Sequence, residues 1–148
     1  MKPEIRIAKK EELPDLLALE KLCFKEETFH KKQLGYLLLK AKSLVLVASA
    51  DDKIIGSMIV LLRENIMQAR IYSLNVHPSY RRMGIGRSLM DTALEFLKER
   101  GFRKFTLEAG VNNTAARNLY ESKSFSVDKI LRSYYKNGDD ALHFTKNL

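Results

Sequence analysis

A chain of 148 residues with 45% apolar and 30% charged residues is long enough for one domain with a real core and has an ordinary soluble composition. Its 26 basic and 18 acidic residues give a formal charge of +8, which favours an anionic ligand or partner. The charge is spread without a basic tail or patterned aromatics, which argues against a nucleic-acid module, and no apolar run has the length of a membrane span.

The start, MKPEIRIAKKEEL, lacks the pattern of a secretion signal, and the single Cys23 excludes an internal disulfide. A cytoplasmic protein is the expectation. Glu4 to Ile7 alternates polar and apolar residues and predicts a first strand. Glu11 to about Cys23 predicts a helix with Leu13, Leu16, Leu17 and Leu19 to Leu22 on its apolar side. Pro14 fits because it falls in the first turn, and Cys23 reads as a packing residue. Phe24 to Thr28 reads as a loop, with Thr28 capping a second helix through about Lys42. Ser43 to Ser49 and Lys53 to Leu62 are β-branched apolar runs joined by Asp51-Asp52, the pattern of a hairpin.

A strand over Ala69 to His77 leads into a turn and then a helix on which Leu89, Met90, Ala93, Leu94 and Leu97 share one face. Gly101 suits a left-handed cap. Phe105 to Ala109 predicts a strand parallel to the previous one, with a right-handed crossover. Asn113 caps a short helix to about Lys123. Val127 to Tyr135 and Ala141 to Lys146 read as closing strands joined across Asn137 to Asp140. No repeat or linker divides residues 1–148. They read as one mixed α/β domain.

The turn after the third long strand, Arg81-Arg82-Met83-Gly84-Ile85-Gly86-Arg87, carries chemistry. First-turn amides have no partner inside a helix, and the helix dipole adds partial positive charge there. Gly84 and Gly86 allow a phosphate to approach the backbone, and Arg81, Arg82 and Arg87 supply forked donors. The turn is not a P-loop, because Arg81 and Arg87 stand where that motif needs glycine and lysine. It is a poor dinucleotide fingerprint, because Leu89 occupies the third glycine position. A pyrophosphate cradle and a plain solvated helix start remain equal alternatives on this segment alone.

Arg81-x-x-Gly84-x-Gly86 matches the [QR]-x-x-G-x-[GA] signature of the GNAT superfamily of acetyltransferases. Leu107-Glu108, Asn113, Ala115, Leu119-Tyr120 and Phe125, then Tyr134-Tyr135, Gly138 and Asp140-Ala141, follow in order and spacing. The set resembles the RimI-type enzymes that acetylate protein N-termini. Gly110 and Ser124 depart from that pattern; Ser124 stands where glycine would ease a left-handed backbone.

The resemblance implies a GNAT fold, one mixed sheet with a splayed central parallel pair flanked by about four helices. It implies acetyl-CoA as cosubstrate, no metal, and direct attack by the amine in a ternary complex. Glu108 would be the general base and Tyr120 the general acid. Leu74, Asn75 and Val76 would pair with pantetheine, residues 81–87 would hold the pyrophosphate, and Asn113 would touch the cofactor as well as cap its helix. Phe24, Phe29, Tyr134 and Tyr135 would flank a peptide N-terminus, a ribosomal protein being one candidate acceptor. Transfer to a small amine or a lysine side chain, and acyl-CoA binding without turnover, are the competing readings. His77 and His143 show no metal-binding pattern, and His30 reads as a residue on a solvated helix face.

Overall fold

A computed structural model describes residues 2–23, 35–38 and 42–148 of the chain. The elements run β1 (Glu4–Ile7), α1 (Leu13–Cys23), β2 (Ser43–Ala50), β3 (Lys53–Arg63), β4 (Gln68–Val76), α2 (Ile85–Glu99), β5 (Lys104–Gly110), α3 (Thr114–Ser122), β6 (Ser126–Leu131) and β7 (Ala141–Asn147). Residues 35–38 are helical; the predicted loop and cap at Phe24 to Thr28 lie outside the described residues.

The strands form one sheet in the order β1-β2-β3-β4-β5-β7-β6. The β2–β3 hairpin turns at Asp51 and Asp52, both with positive φ, the conformation a two-residue hairpin needs to match strand twist. All neighbouring pairs are antiparallel except β4 and β5. Those two pair only at Gln68–Lys104, Ala69–Phe105 and Arg70–Thr106, while β4 runs on to Val76 and β5 to Gly110. Beyond Arg70 the two strands part. That split is where the site forms.

The helical face foreseen on α2 is buried against one side of the sheet, with Leu89, Met90, Ala93 and Leu97 at 0% exposure among Phe105, Leu107 and Phe144. Each of the leucine and methionine side chains is worth about 1.5–3 kcal/mol of burial. Gly101 closes α2 with φ 78. On the opposite side Leu16 of α1 packs with Leu37, Val45, Val47 and Ile59 over β2 and β3.

Two expectations change. Of the α1 leucines foreseen on the apolar side, Leu22 is exposed, whereas Glu20 is 4% exposed and faces inward. An apolar count cannot reveal a carboxyl that finds a buried amide partner. The sixth strand ends at Leu131, four residues before Tyr135. Asp140 captures the Ser133 amide at 2.9 Å and the Arg132 guanidinium at 3.1 Å, and Ser133 takes φ 49, so the chain leaves the ladder there. Tyr134 and Tyr135 therefore lie on a loop, and the alternation of faces expected of adjacent strand residues does not apply to them.

Candidate active site

One wall of the split is built mostly from backbone. Gly84 (φ 79) precedes the first residue of α2, and Arg82 also has positive φ (65), so the chain wraps tightly around the helix N-terminus. A side chain at Gly86 would touch Leu119 at 3.5 Å and Val76 at 3.9 Å, whereas one at Gly84 would meet no protein atom within 4 Å. Gly84 thus borders open space, and its glycine is required by φ rather than by crowding. A cavity of about 710 Å³ runs past Arg81, Arg82, Gly84, Gly86 and Arg87 to Tyr120. Arg81 donates from Nε to the Val76 carbonyl at 3.2 Å, which fixes its guanidinium beside the cavity it lines.

A second cavity of about 380 Å³ opens on the other side and shares Leu74, Asn113, Ala116 and Tyr120 with the first. The Glu108 carboxylate projects from β5 into it, its side chain only 9% exposed. Oε1 accepts hydrogen bonds from Arg70 of β4 and, at 3.4 Å, from the Tyr134 hydroxyl. Oε2 lies 3.7 Å from His143 Nε2, and His143 Nδ1 meets Asp128 at 2.5 Å. The register explains the row, since Glu108 pairs with His143 across β5 and β7 and cross-strand partners share a face. The adjacent His143 imidazole holds Asp128 below the usual carboxylate range.

Tyr120 stands at the junction of the cavities. Its ring is 6% exposed and lies 6.0 Å from Phe125 and 5.6 Å from Phe144, centroid to centroid. Burial, and after it neighbouring Tyr135, push its phenol up to about 12, so it keeps its proton at neutral pH. Tyr134 and Tyr135 pack edge to face, centroids 5.1 Å apart, and both line the second cavity.

A second carboxyl reaches this cavity from α1. Glu20 Oε2 accepts from the buried Asn75 amide at 2.6 Å, and burial raises its pKa to about 7. Asn75 Oδ1 and Ser73 Oγ, both buried, have no partner among the described residues. Cys23 is also less passive than a packing residue: its thiol donates to the Val76 carbonyl at 3.5 Å beside the larger cavity.

Among the residues foreseen for the phosphate wall, Arg81, Arg82, Gly84, Gly86 and Arg87 line one cavity. The Ile85 side chain turns into the core, leaving its backbone as its contribution, and Met83 is 55% exposed outside both cavities. The Asn75 side-chain amide nitrogen is taken by Glu20, while its Oδ1 is buried without a partner among the described residues. Asn113 caps α3 through Oδ1 to the Ala116 amide at 3.2 Å and borders both cavities. Phe24 and Phe29, foreseen beside the acceptor, lie outside the described residues. Sequence reasoning missed Arg70, Glu20, Asp128 and His143. Only the alternation of β4 and β7, which puts Arg70 and His143 on the Glu108 face, hinted at two of them.

Residues 10–125 match the family described as Acetyltransferase (GNAT). The chain belongs to that family. It is 31% identical over 121 residues to N-alpha-acetyltransferase 30 of Schizosaccharomyces pombe, covering 80% of this chain and 81% of the relative. A ribosomal protein bS18-alanine N-acetyltransferase of Escherichia coli is 38% identical over 72 residues, about half of each chain at 49%. The crystal structure of the Escherichia coli ribosomal-protein-S18-alanine N-acetyltransferase superposes with a TM-score of 0.90 at 25% identity, over 98% of this chain and 93% of that one. The split between β4 and β5 is thus the GNAT cleft. Acetyl-CoA suits the larger cavity: three arginines and a glycine-opened helix N-terminus match its phosphates, and the unpaired edge of β4 offers amides and carbonyls to an extended amide-bearing chain. Among the described residues no group of His, Cys, Asp and Glu is placed to hold a metal, and no helix is long and apolar enough to cross a membrane.

Proposed function

We propose that this GNAT acetyltransferase transfers the acetyl group of acetyl-CoA to the N-terminal α-amine of proteins, a ribosomal protein among the candidate acceptors. The observation that carries the reading is the meeting of two cavities at Tyr120, one walled by phosphate-binding groups and the other by a carboxylate and two tyrosines. The acceptor named for the relatives adds weight to the α-amine.

Bound acetyl-CoA supplies an activated thioester. The backbone of Leu74, Asn75 and Val76 orients it along the free edge of β4, and an amide there polarises the carbonyl oxygen. Arg81, Arg82 and Arg87 with the amides after Gly84 neutralise the phosphates. Glu108, held in place by Arg70 and facing His143, attracts the ammonium and accepts its proton directly or through water. Tyr120 holds the proton that its hydroxyl passes to the departing sulfur, and its raised pKa keeps it available at neutral pH. Glu20, near neutrality in its own proton affinity, is a second acceptor facing the same space.

The α-amine is the economical nucleophile for such a site. With a pKa near 8 it is about one tenth neutral at pH 7, whereas a lysine amine near 10.4 is neutral less than about one time in a thousand. Tyr134 and Tyr135 narrow the entrance beside Glu108 and offer hydroxyls to the first peptide groups. The test is thiol release from acetyl-CoA with short free peptides, the same peptides N-terminally blocked but containing lysine, and spermidine. Turnover is expected with the first set and little with the others. Mass spectrometry placing the acetyl group on lysine with the α-amine untouched would overturn the reading.

A further inference from the structure

Behind Glu108 the open sheet face continues into a third cavity of about 310 Å³, and Arg70, Glu108 and Tyr134 line both it and the acceptor cavity. Its far walls carry Arg63, Lys104 and Lys129. Glu108 is the one acid on that lining, and Arg70 already occupies it. Arg63, Lys104 and Lys129 make no ion pair with any described residue. Three cations without an ion pair, placed on both banks of one groove, form a field with a ligand-sized gap in it.

We propose that this groove receives the continuation of the acceptor chain and selects N-termini followed by acidic residues. The inference rests on the N-terminal reading above and narrows its substrate class. Register sets the scale. Lys104 lies four residues before Glu108 on β5, about 13 Å along the strand. Lys129 pairs with His143, which pairs with Glu108, so it stands two strand spacings away, about 9.6 Å. Arg63 pairs with Gln68, which pairs with Lys104, and extends the row to the opposite bank. An extended peptide advances about 3.3 Å per residue, so with its amine at Glu108 these cations meet positions four to six. Carboxylates there replace the missing counter-ions, and basic side chains there are repelled.

The test compares three blocks of peptides sharing the first three residues and carrying Glu, Gln or Arg at positions four to six. Arg in place of Lys keeps side-chain acetylation out of the readout. Wild-type enzyme is expected to show a KM for the Glu peptide about tenfold below that of the Gln peptide, the sum of three exposed ion pairs, with the Arg peptide weakest. Raising salt should compress that ranking. Arg63→Glu, Lys104→Glu and Lys129→Glu should each reduce the Glu advantage, and the combination should abolish it, while kcat and KM for the Gln peptide and binding of acetyl-CoA stay unchanged. Equal KM for Glu and Gln peptides, or a ranking that survives the charge reversals, would overturn the inference and leave N-terminal acetylation standing. Tight binding of a short single-stranded RNA that is lost in the same variants, without any peptide ranking, would overturn it in favour of a nucleic-acid surface. Absence of turnover on all three peptides would instead defeat the N-terminal reading itself.

Discussion

The two cavities that meet at Tyr120 are built on opposite plans. The phosphate side is mainly local: the end of β4, the residues from His77 to Gly84 and the first turn of α2 supply most of its lining from one contiguous stretch, with α3 closing the far wall. The acceptor side is assembled from side chains on α1, β4, β5, β6, β7 and the β6–β7 loop, spread from Glu20 to His143. A site made of backbone depends on conformation and tolerates side-chain drift. A site made of side chains has parts that can be exchanged singly, which suits a family that keeps one donor and varies the acceptor.

The sharpest way to probe the junction is Tyr120→Phe, which keeps the buried ring and removes only its hydroxyl. A fall in kcat of roughly 10²–10⁴-fold with acetyl-CoA still bound is expected, measured by thiol release and calorimetry. Near wild-type kcat would make Tyr120 a core residue of the divide and no more. Glu108→Gln should cut kcat/KM at neutral pH, with partial recovery as rising pH deprotonates the amine unaided. A loss uniform in pH would assign Glu108 to positioning.

On the phosphate side, Gly84→Val puts a branched side chain at φ 79 and at the border of the open channel. The KM for acetyl-CoA should rise about tenfold or more, about 1.4 kcal/mol, with peptide affinity little altered. Tyr134→Ala or Tyr135→Ala should give the mirror image: a several-fold higher peptide KM and unchanged acetyl-CoA binding. Equal damage to both ligands from either change would erase the separation between the two sides.

The same contrast explains what the sequence revealed. The strand, the glycines and the amphipathic α2 were readable because each rests on neighbours within a few residues, and the structure places α2 and its buried face where the spacing put them. The antiparallel start, parallel centre and closing hairpin were readable for the same reason. Glu20 was read as part of an apolar helix side because its partner, Asn75, is 55 residues away. The row Asp128–His143–Glu108–Arg70 depends on three strand registers that no local pattern encodes. The end of β6 was missed because Asp140 reaches back to Arg132 and Ser133 from beyond the turn. Ser124 shows the converse: a departure from glycine was noticed in the sequence, and the residue holds the left-handed φ of 69 regardless.

The smallest expected effect lies at Glu20, whose folded pKa of about 7 exceeds the ordinary 4.5. Between those values the folded state holds a proton that the unfolded state has released, so this group's contribution to stability declines as pH rises through that window. Glu20→Gln removes the decline. Its melting temperature relative to wild type should climb by a few degrees from pH 4.5 to above 7, and a constant difference across that range would place Glu20 in solvent. The acid limb of its pH–rate profile reports in parallel whether the second carboxyl takes part in turnover.

Tyr120 shares its packing with Phe125 and Phe144, and Phe125 in turn with Phe105, so the hydroxyl proposed as general acid is carried by a ring wedged in the main core. Warming, or a cavity opened beside it at Phe144, is transmitted to the hydroxyl as a change of aim before the chain melts. Heat inactivation should therefore set in below the global melting transition, with catalysis serving as a thermometer of how tightly the interior is packed.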